Sequence, residues 1–183
     1  SEYQDLCRGL SLYSRGYLEG IIAAQSQING GYIIDEMLTA DTLRLVNSDF
    51  LKASKGRFSV TGRELSYTLA KETTGRQRYT ALALLSDRCN VNVYSNDTDG
   101  RLEKASFCGY VDYYDKMPAV FRSSKINLNI SLCTIQTGIP LRVLDIMACG
   151  GFVLTNMQPE LMEYFIPGED VAVYEDMKDM IAK

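Results

Sequence analysis

The spacing of apolar residues changes near residue 90. Before it, the spacing is helical. "YSRGYLEGIIAAQSQI" (13–28) brings Tyr13, Tyr17, Leu18, Ile21, Ile22 and Ala24 round at roughly one helical turn, and "NGG" at 29–31 stops the run. "TADTLRLVNSDFL" (39–51) offers Thr39 or Asp41 as the N-cap of a second helix. Thr61 and Glu64 stand at capping-box spacing ahead of a third, which the pattern carries to about residue 87, with Gly75 a weak point inside it. No long strand is predicted in 1–88.

After residue 90, short apolar runs alternate with short amphipathic ones. Strands are predicted at 91–95, 106–111, 126–131 (alternating Ile126, Leu128 and Ile130), 152–155 and 171–175. Helices are predicted over "DKMPAVFRSS" (115–124), with Pro118 in the first turn, and over 140–148, 159–165 and the last residues. Single helices between strands imply parallel pairing through right-handed crossovers. The expected fold class is α/β: a Rossmann-like parallel sheet flanked by helices, with a helical N-terminal segment. Residues 1–88 form a helical segment of the same domain, and 89–183 form the core.

Composition narrows the chemistry. The chain has 183 residues, 46% hydrophobic and 23% charged, with net charge −4. A negative balance supplies no field for nucleic acid, and no apolar run is long enough for a membrane span. The five cysteines are odd in number and none has CxxC spacing. This points away from a disulfide framework and toward a reducing, cytoplasmic setting. Histidine is absent, which removes Ser-His-Asp and Cys-His nucleophile systems and HExxH zinc sites. The catalytic base is unassigned. Proton transfer falls to Asp, Glu, Lys, Tyr or Cys, or to a group outside these residues.

The stretch "TGIPLRVLDIMACGGFVLTN" (137–156) carries the most chemistry. In parallel α/β sheets, ligands bind at the carboxyl ends of strands, beside helix N-termini. Gly138 permits close backbone approach, and Pro140 suits the first helical position. The amides around 138–143 form a natural anion seat. Leu141, Leu144 and Ala148 are expected to face the sheet, with Arg142 and Asp145 together on a polar face. Arginine is unfavourable at a helix start. A phosphate there converts it to a ligand, and Asp145, one turn on, can accept from a ribose diol. A nucleoside diphosphate meets both demands. The plainer reading is an exposed Arg–Asp pair, i to i+3.

The run "YVDYYDKMPAVFRSSKINLNIS…TGIPLRVLDIMACGGFVLTNMQPELMEYFIPGEDVAVYE" resembles the C-terminal domain of bacterial family-1-type glycosyltransferases of the spore-maturation-protein (CgeB-like) group, and "GLSLYSRGYLEGIIAAQ" resembles the segment preceding it. The resemblance implies the C-terminal half of a GT-B fold, in which two Rossmann-like domains face across a cleft. It places the diphosphate of a sugar donor, such as a UDP-linked one, beside Gly138, Ile139, Pro140, Leu141 and Arg142. It puts the ribose on Asp145 and the base on backbone groups of Gly109, Tyr110 and Val111, with Lys125 a weaker candidate. Related enzymes carry two glutamates separated by seven residues where this chain has Thr137 and Asp145, so Thr137 joins the candidate set with a changed sugar contact. The leaving diphosphate is stabilised by helix amides and Arg142, a scheme that needs no metal or cofactor. The implied partners are the nucleotide-sugar donor, an unknown acceptor and a facing N-terminal GT-B domain. The resemblance also implies a Gly/Ser-rich strand before residue 1 and a closing helix after 183, and this stretch alone is expected to be inactive. The competing reading is a non-catalytic Rossmann-like binding or assembly module, whose helical segment contacts a partner or a second copy.

Other signals are weaker. Asp97-x-Asp99 in "NDTDG" matches a metal-binding Asp-x-Asp, but reads more simply as a turn. "NDT" and "NIS" match glycosylation acceptors, though Asn129 lies in a predicted buried strand. The helical spacing of Tyr13, Tyr17 and Tyr67 predicts core or helix contacts. The Glu160/Glu163 pair and the Glu175, Asp176, Asp179 cluster read as solvated helix faces.

Overall fold

The computed structural model describes residues 1–183. The chain divides into two compact units, one of Ser1–Arg76 with Leu132–Thr134, the other of Gln77–Ser131 with Ile135–Lys183.

The first unit is helical: α1 (Glu2–Cys7), α2 (Leu12–Ser26), α3 (Ile34–Met37), α4 (Ala40–Ala53) and the opening turns of α5 (Gly62–Ser86). Side-chain caps set the helix starts. Thr39 accepts from the Thr42 amide at 3.2 Å, so Thr39 rather than Asp41 begins α4. Thr61 and Glu64 complete the capping box, with the Thr61 amide on Glu64 at 2.8 Å and the Glu64 amide on Thr61 at 3.2 Å. Gly75 does not interrupt α5, which runs to Ser86. The core gathers Leu18, Ile21, Ile22, Ile34, Val46, Phe50, Leu65 and Leu69, all essentially sealed from solvent. Tyr17 makes the helix contact expected of it, to α3, whereas Tyr13 and Tyr67 differ from expectation. Tyr13 and Tyr67 are exposed, because the helix faces carrying Leu18 and Leu65 turn inward instead. Tyr17 donates to the Met37 carbonyl at 3.2 Å.

The second unit is α/β, with short parallel sheets flanked by helices, as the alternation predicts. β1 (Asn92–Val93) and β2 (Ser106–Phe107) form one parallel pair. After α6 (Met117–Ser123), β3 (Asn127–Asn129), β4 (Val153–Asn156) and β5 (Ala172–Tyr174) form a second sheet in the order β3-β4-β5, all parallel. α7 (Leu141–Ala148) and α8 (Leu161–Tyr164) make the two crossovers, and α9 (Met177–Ala182) follows. Register is fixed by Leu128 against Leu154 and Thr155 against Val173. β4 is central and buried along its whole length, as a covered parallel strand must be.

Two expectations are corrected here. In "INLNIS" the asparagines are buried, while Ile126 is 52% exposed. Burial is tolerated because the Asn127 amide reaches the Phe121 and Phe152 carbonyls at 2.9 and 3.1 Å. Asn129 likewise reaches Ser131 and Thr155 at 3.0 and 2.9 Å. α7 is also rotated from the expected face. Val143 and Ile146 pack against Phe121, Val153, Leu161, Val171 and Val173, whereas Leu141 is 76% exposed and Leu144 and Ala148 face solvent. Val143 and Ile146 make the better inward stripe because Ile139 and Met147 flank them on the same side.

Candidate functional site

α7 begins where the chain leaves the loop after β3. Gly138 holds φ +91°, and a Cβ built there would meet nothing within 4 Å, so this turn opens to solvent. Pro140 is the N-cap and supplies no side-chain hydrogen bond. The first turn is tight, with the Val143 amide on the Pro140 carbonyl at 2.9 Å. The Leu141 and Arg142 amides meet no acceptor in the chain, as the first amides of a helix do not. The Gly138 amide is different: it donates to the Glu160 carboxylate, which reaches across from the N-cap of α8. Glu160 is therefore engaged at the turn and is not simply a solvated helix face. One amide of the anion seat is filled by the chain itself. Ile139 turns its side chain into the core beside Val143, which leaves its backbone as the part able to meet a ligand. Thr137 is exposed.

Arg142 and Asp145 do not pair with each other. The Arg142 guanidinium lies over the Tyr113 ring, 5.4 Å from its centroid, and 5.6 Å from that of Phe121. Asp145, half-buried, accepts a short hydrogen bond from the Tyr113 hydroxyl. That bond to an anion, with some burial, raises the Tyr113 pKa above the usual tyrosine value, since losing the proton would set two negative charges together. The loop carrying Tyr113 is pinned by Asp112, whose carboxylate accepts from the Tyr114 and Asp115 amides at 2.9 and 2.8 Å. At its start Gly109 has φ +75° with open space around it, and Tyr110 is 68% exposed. Val111 is half-buried and Lys125 is exposed.

The fold thus joins the loop after β2 to α7 through one residue, Tyr113. Sequence reasoning stopped at Val111 and missed it. The signal was available: an aromatic two positions beyond a candidate turn, in a chain rich in tyrosine. Glu160 was also missed, although it starts a helix directly after a strand and so belongs to the same sheet edge.

The carboxyl ends of β3 and β4 are tied by a buried polar set. The Ser131 amide donates to Asn156 Oδ1 at 2.9 Å, and Asn129 bridges to Thr155. This fixes the strand ends from which the candidate loops depart. Asn129 is accordingly unavailable as a glycosylation acceptor in the folded chain. At the Asp-x-Asp, Asp99 is gripped by the Arg101 guanidinium at 2.6 and 2.9 Å, which pulls its carboxyl down to about 2. No cluster of three or more His, Cys, Asp or Glu side chains is placed to hold a metal ion. All five cysteines are free thiols. No helix is long and apolar enough to cross a membrane.

No curated protein and no solved structure matches the chain. A family profile described as glycosyl transferase-like matches residues 51–183. That span includes all five strands, the Tyr113 loop and α7, and on it the chain belongs to the glycosyl transferase-like family.

Proposed function

We propose that the chain is the donor-binding half of a GT-B-type glycosyltransferase of the spore-maturation-protein kind, taking a nucleoside-diphosphate sugar. The diphosphate would lie against the free amides of Leu141 and Arg142, with Arg142 as its cation and the Gly138 turn beside it. The ribose would reach Asp145, and the base the backbone at Gly109–Val111. Thr137 and Pro140 would border the sugar side. In the transfer, the anomeric carbon–oxygen bond breaks and its electron pair leaves on the diphosphate. The carbon bonds to an acceptor oxygen, whose proton passes to a base that the facing domain would supply. Helix amides and a guanidinium aimed at the leaving diphosphate favour that charge as it develops.

The observation carrying this reading is that Arg142 and Asp145, inside the family match, lie one turn apart and are both held by the loop after β2. A thermal-shift panel of UDP, GDP, ADP and dTDP tests it. One diphosphate at 100 times its Kd should stabilise by about 2.7 kcal/mol, and Arg142→Ala or Asp145→Ala should abolish the response. Stabilisation that survives both substitutions would reject the assignment. The assembly-module reading draws support from Glu160, which already fills the Gly138 amide. A well-folded protein indifferent to every diphosphate favours that reading.

A further inference from the structure

We propose that Tyr113 is a positioning residue that sets the two donor-binding side chains with two different parts of itself, and that through Asp145 it selects ribonucleoside over 2′-deoxyribonucleoside diphosphates. The proposal rests on the donor-site reading above. The ring faces the Arg142 guanidinium at 5.4 Å, a cation–π distance. The hydroxyl is bonded to Asp145. Arg142 has no carboxylate partner, so the Tyr113 and Phe121 rings are what hold it in place. A guanidinium lying on a ring keeps its edge N–H groups free to fork onto phosphate oxygens. On the other side, Tyr113 donates to Oδ2 of Asp145, leaving Oδ1 and the remaining lone pair of Oδ2 to accept from a diol. A carboxylate held by one donor loses less freedom when it takes up the ribose. The loop cannot easily carry Tyr113 away, because Asp112 ties the following two amides.

Because ring and hydroxyl serve different parts of the ligand, two substitutions separate them. Tyr113→Phe keeps the ring and deletes only the hydroxyl. Tyr113→Leu deletes both. The probes are inorganic pyrophosphate, which has no ribose, and the diphosphates of U, G, A and C, each beside its 2′-deoxy counterpart, titrated by calorimetry. Circular dichroism melts confirm that each variant folds. The wild type is expected to prefer the ribonucleotide of the pair it binds. Tyr113→Phe should cut that preference about tenfold, the low end of what one hydrogen bond to a charged group contributes, and leave pyrophosphate affinity unchanged. Tyr113→Leu should in addition weaken pyrophosphate about threefold, the scale of an exposed cation–π contact. An unchanged preference in Tyr113→Phe, or a tighter grip on the ribonucleotide because a competitor was removed, overturns the proposal. So does a wild type that binds a diphosphate without distinguishing ribose from deoxyribose. If the wild type binds no diphosphate, the donor-site reading itself fails and this inference falls with it.

Discussion

Adding a single methyl group at Gly151 should disrupt the junction that carries α7 into β4. The "GG" after α7 does two separate jobs. Gly150 takes φ +72°, its amide bonds the Met147 carbonyl at 2.9 Å, and the Gly151 amide bonds that of Ile146 at 2.9 Å. This is a Schellman close of the helix, with glycine in the left-handed position. A Cβ at Gly150 meets nothing within 4 Å, so Gly150→Ala costs only backbone strain, about 1 kcal/mol. Gly151 needs no left-handed φ, yet a Cβ there would sit 2.7 Å from the Phe121 carbonyl oxygen, 2.9 Å from the Asn127 amide nitrogen and 3.1 Å from an Ile146 methyl. Ordinary contact begins near 3.4 Å, so the carbonyl must retreat by about 0.7 Å. It is not free to do so, because it accepts from Asn127, which also reaches Phe152. Overpacking costs about 1–3 kcal/mol, and each buried hydrogen bond disturbed adds about 1 kcal/mol. Gly151→Ala should therefore lose about 2–4 kcal/mol, well beyond Gly150→Ala. Urea titrations followed by circular dichroism measure both. If Gly151→Ala proves no more costly than Gly150→Ala, the close approach of α7, α6 and β3 is not what fixes this corner.

Two further outcomes are expected. Glu160→Gln keeps a side-chain acceptor for the Gly138 amide but removes its charge; at a wet surface a unit repulsion over a few ångströms is about 1 kcal/mol, so on the proposed donor-site reading the affinity for inorganic pyrophosphate should rise about fivefold at low salt and less at high salt, and calorimetry showing no change would mean that the carboxylate does not compete for the proposed seat. In the helical unit, the Arg76 guanidinium, bonded to Glu19 at 2.6 and 3.0 Å, together with the Tyr3 hydroxyl, holds the Glu19 carboxyl below its usual range; the folded pKa is lowered, so this stabilisation is present above about pH 4.5 and is lost as pH falls through the folded value, and Glu19→Gln should flatten the acid limb of a melting-temperature profile, whereas an unaltered limb assigns acid sensitivity elsewhere.

Local signals survive where the physics is local. The Thr61–Glu64 box reads directly from sequence, and the α4 cap narrows to Thr39 or Asp41, because a helix end is settled by residues within one turn of it. Parallel pairing was equally legible, since a strand, helix, strand rhythm leaves one common solution. Burial was harder. "INLNIS" shows an apolar alternation, but which face is sealed depends on carbonyls at Phe121 and Phe152 that only the folded chain brings within reach of Asn127. The face of α7 was misjudged for a similar reason: Leu141 and Leu144 match Val143 and Ile146 in apolar character, and the partners across the core choose between them.

The sequence by itself determined a helical N-terminal segment, the α/β alternation after it, the Thr61–Glu64 capping box, the parallel strands and the placing of Arg142 and Asp145 one turn apart, because each follows from backbone geometry over a few residues. Tertiary structure alone decided that Tyr113 would hold both of those side chains and that Glu160 would reach the Gly138 amide. Those contacts join residues 22 to 32 positions apart, and no periodicity encodes a meeting that depends on how loops leave neighbouring strands.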